Sequence, residues 1–171
     1  MFQPGDLVVY STTGVCRIEA VTTPDMSGAD RSKKYYQLKP LQQDGVIYIP
    51  VDNPKVSIRP VISREEADAL IDTIPTIQTE VCRAPTLQAL AQHYQAAVHS
   101  GDRLDLIRMI MSIYTKQQQA EAQKRRLGLV DERYMKQAER LLHGELAAAL
   151  GISFEEVPAY IAHRLGYVHN T

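Results

Sequence analysis

The feature that most constrains this chain is a change of period near residue 60. Before it, β-branched and aromatic residues come in short runs: Leu7 to Tyr10, Val15 to Val21, Tyr35 to Leu38, Val46 to Val51 and Val56 to Ile58. Turn chemistry separates them at Pro4-Gly5-Asp6, Thr13-Gly14, Pro24-Asp25, Ser27-Gly28, Asp44-Gly45 and Asn53-Pro54. Short strands punctuated in this way read as a small barrel or sandwich. Asp44-Gly45 is the sharpest hairpin signal, because both residues tolerate the positive φ of a tight primed turn.

From residue 63 the apolar residues recur at helical spacing. Ser63 with Glu66 makes a capping box that opens a helix to about Ile74. Thr86 caps a second helix ending near Gly101. Asp102, with Asp105 in the first turn, begins a third that Gly128 ends. Leu104, Ile107, Met111 and Tyr114 share a face of that helix, widened by Ile110 and Ile113. Asp131 begins a fourth, with Met135, Ala138, Leu142, Leu146 and Leu150 on its apolar stripe and Gly151 as its stop. Ser153 with Glu156 opens a last helix, closed by Gly166. The expectation is an α+β chain of two domains: residues 1–62 all β, residues 63–171 a helical bundle.

Motifs that carry catalysis or hold cofactors are missing from the sequence. It has no phosphate-binding glycine loop, no dinucleotide fingerprint, no zinc-type cysteine pair and no HExxH. Cys16, in mid-strand, reads as a small buried hydrophobe. Cys82, in the link between helices, reads as a solvent-facing thiol. His93 and His99 lie six apart and share no chelating face. His143, His163 and His169 read as surface or cap residues, since no carboxylate or cysteine cluster accompanies them. The acidic pairs Glu65-Glu66, Asp131-Glu132 and Glu155-Glu156 fall at helix starts, where the helix dipole favours them. No catalytic residue, metal or cofactor is therefore expected. Two cysteines fit a reducing cytoplasm. The start lacks a signal-peptide pattern, and the apolar run 145–152 is too short to span a bilayer, so no membrane partner is expected.

The formal net charge is −1, so any nucleic-acid contact must rest on a local patch. Lys124-Arg125-Arg126 is the run above background. Cations favour helix C-termini, which is one reading of it. The other is a phosphate-facing strip, since residues 103–140 hold nine Lys or Arg against five Asp or Glu. The tyrosines Tyr10, Tyr35, Tyr36 and Tyr48 crowd the β half. Neighbouring strand residues point to opposite faces, so Tyr35 and Tyr36 cannot both be buried on one side, and an exposed aromatic suits protein recognition.

FQPGDLVVYSTTGVCRIEAV, at residues 2–21, resembles the opening of the CarD family. KYYQLKP and VIYIPVDN resemble the later strands of the same domain. Ser100-Gly101-Asp102 and LLHGELAAALG resemble its helix junction and final helices. The resemblance implies a Tudor/SH3-like β-barrel, similar to the polymerase-interacting domain of the transcription-repair coupling factor, that pairs with the RNA polymerase β subunit. It also implies a helical domain resting on promoter DNA at the upstream edge of the bubble. Relatives commonly wedge a tryptophan into the minor groove there. This chain has no tryptophan. Ungapped counting from Ser100-Gly101-Asp102 puts Leu87 at the wedge position, and Gln88, Ala89 and Gln92 follow where many relatives are basic. The third helix also carries the extra stretch QQQAEAQKRR.

The expected function is non-catalytic regulation of initiation, with polymerase contacts at Met26, Tyr35, Tyr36, Val46 and Tyr48. DNA contacts are expected at Leu87, Lys124, Arg125 and Arg126. The first rival is an adaptor of the same fold that docks another protein and never touches DNA; the second, disfavoured by the missing catalytic motifs, is an enzyme.

Overall fold

A computed structural model describes residues 2–10, 12–23, 33–52 and 58–166. Its first part is an antiparallel sheet of β1 (Leu7–Tyr10), β2 (Gly14–Thr22), β3 (Tyr35–Pro40), β4 (Ile47–Pro50) and β5 (Ile58–Pro60), in the order β4-β3-β2-β1-β5. The strands fall on the expected runs, although the last sits slightly later than 56–58. Three of the expected turns, at residues 24–25, 27–28 and 53–54, lie outside the described residues. Among the described residues β4 and β5 do not pair, so the sheet is open and the expected barrel closure is not seen.

Alternation assigns each strand residue a side. Val8, Cys16, Ile18, Tyr36, Leu38 and Ile49 make one core, with Tyr10, Val21, Ile47 and Ile58 packed against it. Cross-strand pairing agrees, since Val8 faces Cys16, Ile18 faces Leu38 and Tyr36 faces Ile49. Glu19 is an extra residue where the β2–β3 register shifts, a bulge that bends the long strand. The Asp44-Gly45 signal marks a turn, but not the tight two-residue kind. The β3–β4 connection runs from 41 to 46, and only Gly45 in it has positive φ, at 109°. It is long because its first half stays with β2: the Leu41 amide donates to the Val15 carbonyl at 3.0 Å, and Gln43 Nε2 donates to the Thr13 carbonyl at 3.4 Å.

The helices are α1 (Arg64–Thr73), α2 (Leu87–His99), α3 (Arg103–Ala122), α4 (Leu129–Leu150) and α5 (Val157–Arg164), with short 3₁₀ turns at Ile74–Thr76 and Phe154–Glu156. Both capping boxes form, and Thr86 and Asp102 cap as their sequence positions imply. Their bulk lies in a second core that includes Ile71, Tyr94, Ile113, Leu146 and Val157. α4 is the central element and packs against α1, α2, α3, α5 and β2.

The end of α3 differs from expectation. The helix stops at Ala122 rather than near Gly128, and Lys124 adopts the left-handed conformation at φ 55°. The Arg125 amide donates to the Ala120 carbonyl at 2.7 Å and the Lys124 amide to the Glu121 carbonyl at 3.0 Å. This pair of bonds is the Schellman closure, in which glycine normally fills the left-handed position. A side chain there carries a steric penalty that glycine avoids. Lys124→Gly is therefore expected to stabilise the chain by about 0.5–1 kcal/mol, read as a higher denaturation midpoint. A lower midpoint would mean that the lysine side chain does more than terminate a helix.

The buried face of α3 is also rotated from the expected one. Leu106, Ile107, Met109 and Ile113 are buried, Leu104, Ile110 and Met111 are half-buried, and Tyr114 is 53% exposed. The cause is packing from both sides: α2 and α4 flank α3, and Ser112 is drawn in by donating to the Glu80 carbonyl at 2.9 Å.

Candidate functional site

The sheet and the helices meet along α4, which packs on β2. Val9 and Val15 point away from the sheet's own core yet are buried, so this end of the outer face is covered. Arg140 reaches the β1–β2 turn, donating to the carbonyls of Thr13 at 2.7 Å and Thr12 at 3.2 Å. Gly14, at φ 98°, lets Leu141 come close: a Cβ added there would sit 3.4 Å from Leu141 Cδ2. Arg59 leaves the same outer face from β5 and meets Glu145, which is 3% exposed. Glu145 accepts two bonds from Arg59 (2.8 and 3.0 Å), two from Arg103 (both 2.8 Å) and one from the Ile62 amide at 3.1 Å. One carboxylate thus ties β5, the connection to α1 and the start of α3 to the C-terminal part of α4. Burial pushes its pKa up, but the hydrogen bonds and charges of the two arginines outweigh burial and hold it below the ordinary 4.5.

Among the described residues the helices pack on the sheet chiefly at β2, and β3 and β4 form the other end of the outer face. Here Tyr35 lies opposite Pro50, and Gln37 opposite Tyr48, so Tyr35 and Tyr48 are diagonal neighbours on one face. Both are half-buried, and Val46, just before β4, is 50% exposed. The outer edge of β4 has no strand beside it among the described residues, which leaves backbone donors and acceptors available for pairing. Tyr36 is a correction. It is 4% exposed, its ring packs edge-on to Phe2 at 6.0 Å, and its hydroxyl accepts from the Phe2 amide at 3.1 Å. Strand alternation puts it in the core, and it leaves the set of surface contacts. Met26 lies outside the described residues.

The proposed nucleic-acid residues gather at the opposite end of the bundle. Leu87, the first residue of α2, is 70% exposed. Lys124, Arg125 and Arg126 are exposed in the connection from α3 to α4, not on the last turn of a helix. The structure divides this run: Arg125 and Arg126 line a pocket with Arg83 and Lys116, whereas Lys124 does not. Asp131, placed at a helix start by the sequence, is 4% exposed rather than a solvated dipole partner. It accepts from the Tyr94 hydroxyl at 2.5 Å and from Lys116 Nζ at 3.0 Å. Burial, then the bond to Asp131, pushes the Tyr94 hydroxyl pKa up.

Cys16, Cys82 and His143 are placed as structural residues, and His169 lies outside the described residues. Cys16 is fully buried, and burial pushes its thiol up to about 11, which disfavours the nucleophilic thiolate. Cys82 is half-buried against the helical core rather than facing solvent. His143 is half-buried beside Phe154, at 6.0 Å between rings, and burial lowers its pKa; the surface reading does not hold for it. Among the described residues no group of three or more His, Cys, Asp or Glu is placed to hold a metal, and no helix is long and apolar enough to cross a membrane.

Glu145, Arg83 and Lys116 were not singled out by the sequence. Glu145 carried a signal, since it stands between Leu142 and Leu146 on the apolar stripe of α4, where a charge needs a buried partner. Arg83 and Lys116 carried none, being single cations in ordinary surroundings. Residues 2–62 match the family described as CarD-like/TRCF RID domain, and the match ends just before α1.

Proposed function

We propose that this CarD-like/TRCF RID domain docks on the β subunit of RNA polymerase and that the helices behind it modulate initiation. The observation that carries the reading is the coincidence of that family match with a sheet edge that has no strand beside it among the described residues. β4 is short, is bounded by Pro50, and presents its outer edge beside Tyr48, Tyr35 and Val46. Strand addition to such an edge gives affinity through main-chain bonds, and flanking aromatics give specificity. The division into a docking unit over 1–62 and a helical unit over 63–171 is part of the same reading, as is the Tudor-like barrel.

The test is binding of the full chain to the polymerase β subunit, alongside recovery of polymerase subunits from bacterial lysate. Tyr48→Ala is expected to weaken β-subunit binding by about 2 kcal/mol, roughly 30-fold in Kd, as for an interface aromatic. Its melting temperature should move little, because Tyr48 lies on the outer face. Unchanged affinity for the β subunit would remove Tyr48 from the contact.

DNA contact by the helical unit is the finer half of the proposal. Leu87 and the cations Arg125 and Arg126 share one end of the bundle, which suits a wedge flanked by phosphate contacts. The adaptor reading draws on the absence of tryptophan and on the neutral Gln88, Ala89 and Gln92. A fork-junction DNA titration separates the two, with loss of binding in Leu87→Ala favouring the wedge.

A further inference from the structure

The pocket at the far end of the bundle is rich in cations. Its walls come from the segment before α2, from α3, from the α3–α4 connection and from the first turn of α4. Four of its lining residues are cationic: Arg83, Lys116, Arg125 and Arg126. Asp131 is the one carboxylate in the lining, and its Oδ1 accepts from Lys116 Nζ at 3.0 Å and from the Tyr94 hydroxyl at 2.5 Å. Arg83 donates to the neutral Gln119 Oε1 at 2.7 Å. Among the described residues, Arg83, Arg125 and Arg126 have no ion-pair partner. Three arginines without an ion-pair partner line one small hollow, and an anion bound among them offsets the repulsion of their charges.

The geometry points to a phosphate-binding pocket in which Arg83, Arg125 and Arg126 hold one phosphate group against the neutral Lys116–Asp131 pair. Guanidinium forks match phosphate oxygens through paired charge-assisted hydrogen bonds, which suits phosphate better than chloride. The hollow measures about 180 Å³, below the roughly 300–1,000 Å³ of drug-sized ligand sites. It takes the phosphate itself, not a whole cofactor. Such a group comes either from a nucleic-acid backbone or from a small free phosphate. Only the first source rests on the DNA reading above.

Lys124 provides the internal control, being a cation of the same run that lies outside the pocket. The full chain is titrated with pyrophosphate and, separately, with a short DNA duplex, at constant ionic strength with chloride as background. Backbone amide shifts are followed by NMR. Arg83→Gln and Arg126→Gln are each expected to weaken the bound probe about tenfold or more, the loss of a charge-assisted contact, and Lys124→Gln to change it less than about twofold. Shifts should centre on Arg83, Arg126 and Gly128.

Binding of DNA alone, with that pattern of variants, assigns the pocket to backbone phosphate. Binding of pyrophosphate alone, with the same pattern, upholds the pocket and assigns it to a small free phosphate. DNA binding that ignores Arg83→Gln and Arg126→Gln, or that Lys124→Gln weakens equally, overturns the pocket and leaves the DNA reading standing. If neither probe binds, the pocket is overturned, and the fork-junction titration decides the DNA reading by itself.

Discussion

Glu145→Ala is expected to lower the unfolding free energy by about 3 kcal/mol, the low end of the roughly 3–5 kcal/mol that breaking a buried ion pair costs. The carboxylate is 4% exposed, and its loss strands the guanidiniums of Arg59 and Arg103 and the Ile62 amide. Those arginine side chains are still 30% and 26% exposed, so water softens the loss. Denaturant titration measures it. Acid supplies a second readout. The folded chain holds this carboxyl below 4.5, so as pH falls the unfolded chain takes up the proton first. The stabilisation is complete above about 4.5 and declines as pH falls through the folded value. The gap between wild type and Glu145→Gln should therefore close below about pH 4.5. A gap that persists unchanged into acid would mean that packing, not charge, holds the joint.

Tyr36→Ala is expected to cost about 3–5 kcal/mol of stability, the range for truncating a large buried aromatic. The ring lies in the sheet's core against Phe2, and its hydroxyl takes the Phe2 amide. Its strand neighbour Tyr35 and the diagonal Tyr48 lie on the other face, so Tyr48→Ala should lose under about 1 kcal/mol. Melting curves of the two variants, run side by side, test the sidedness of the whole β3–β4 pair. Equal losses would place both rings in the core and leave the docking face without its aromatic.

What could be read in the sequence was what short-range chemistry decides. Ser63–Glu66, Ser153–Glu156, Thr86 and Asp102 each act within one turn, and each caps as expected. The strand runs stood out for the same reason. The end of α3 was misplaced because its Schellman closure uses Lys124, where the sequence signal for a left-handed residue is glycine. Gly128 looked like the stop but is the residue that precedes α4. The α3 face was misplaced because α2 and α4 both flank it, and periodicity alone does not tell one neighbour from two. Sidedness of Tyr35, Tyr36 and Tyr48 needed the β3–β4 register, which a six-residue connection does not dictate. The joint at Glu145 and the pocket at Arg83 join residues 86 and about 40 positions apart, beyond any local pattern.

The joint at Glu145 also gives α4 a mechanical character. Asp131, in the wall of the cationic pocket, and Glu145, at the joint, stand on the same helix fourteen residues apart. At 1.5 Å per residue that is a lever arm of about 21 Å. A pivot of about 5° at the joint would swing the far end by roughly 2 Å, enough to break a hydrogen bond whose length tolerates only a few tenths of an ångström. Play at the fulcrum is thus magnified at the tip, and gripping two bodies with opposite ends, as the proposed function requires, needs the fulcrum stiff. Four arginine N–H bonds and one backbone amide on a single carboxylate supply that stiffness at the point where slack would cost most reach.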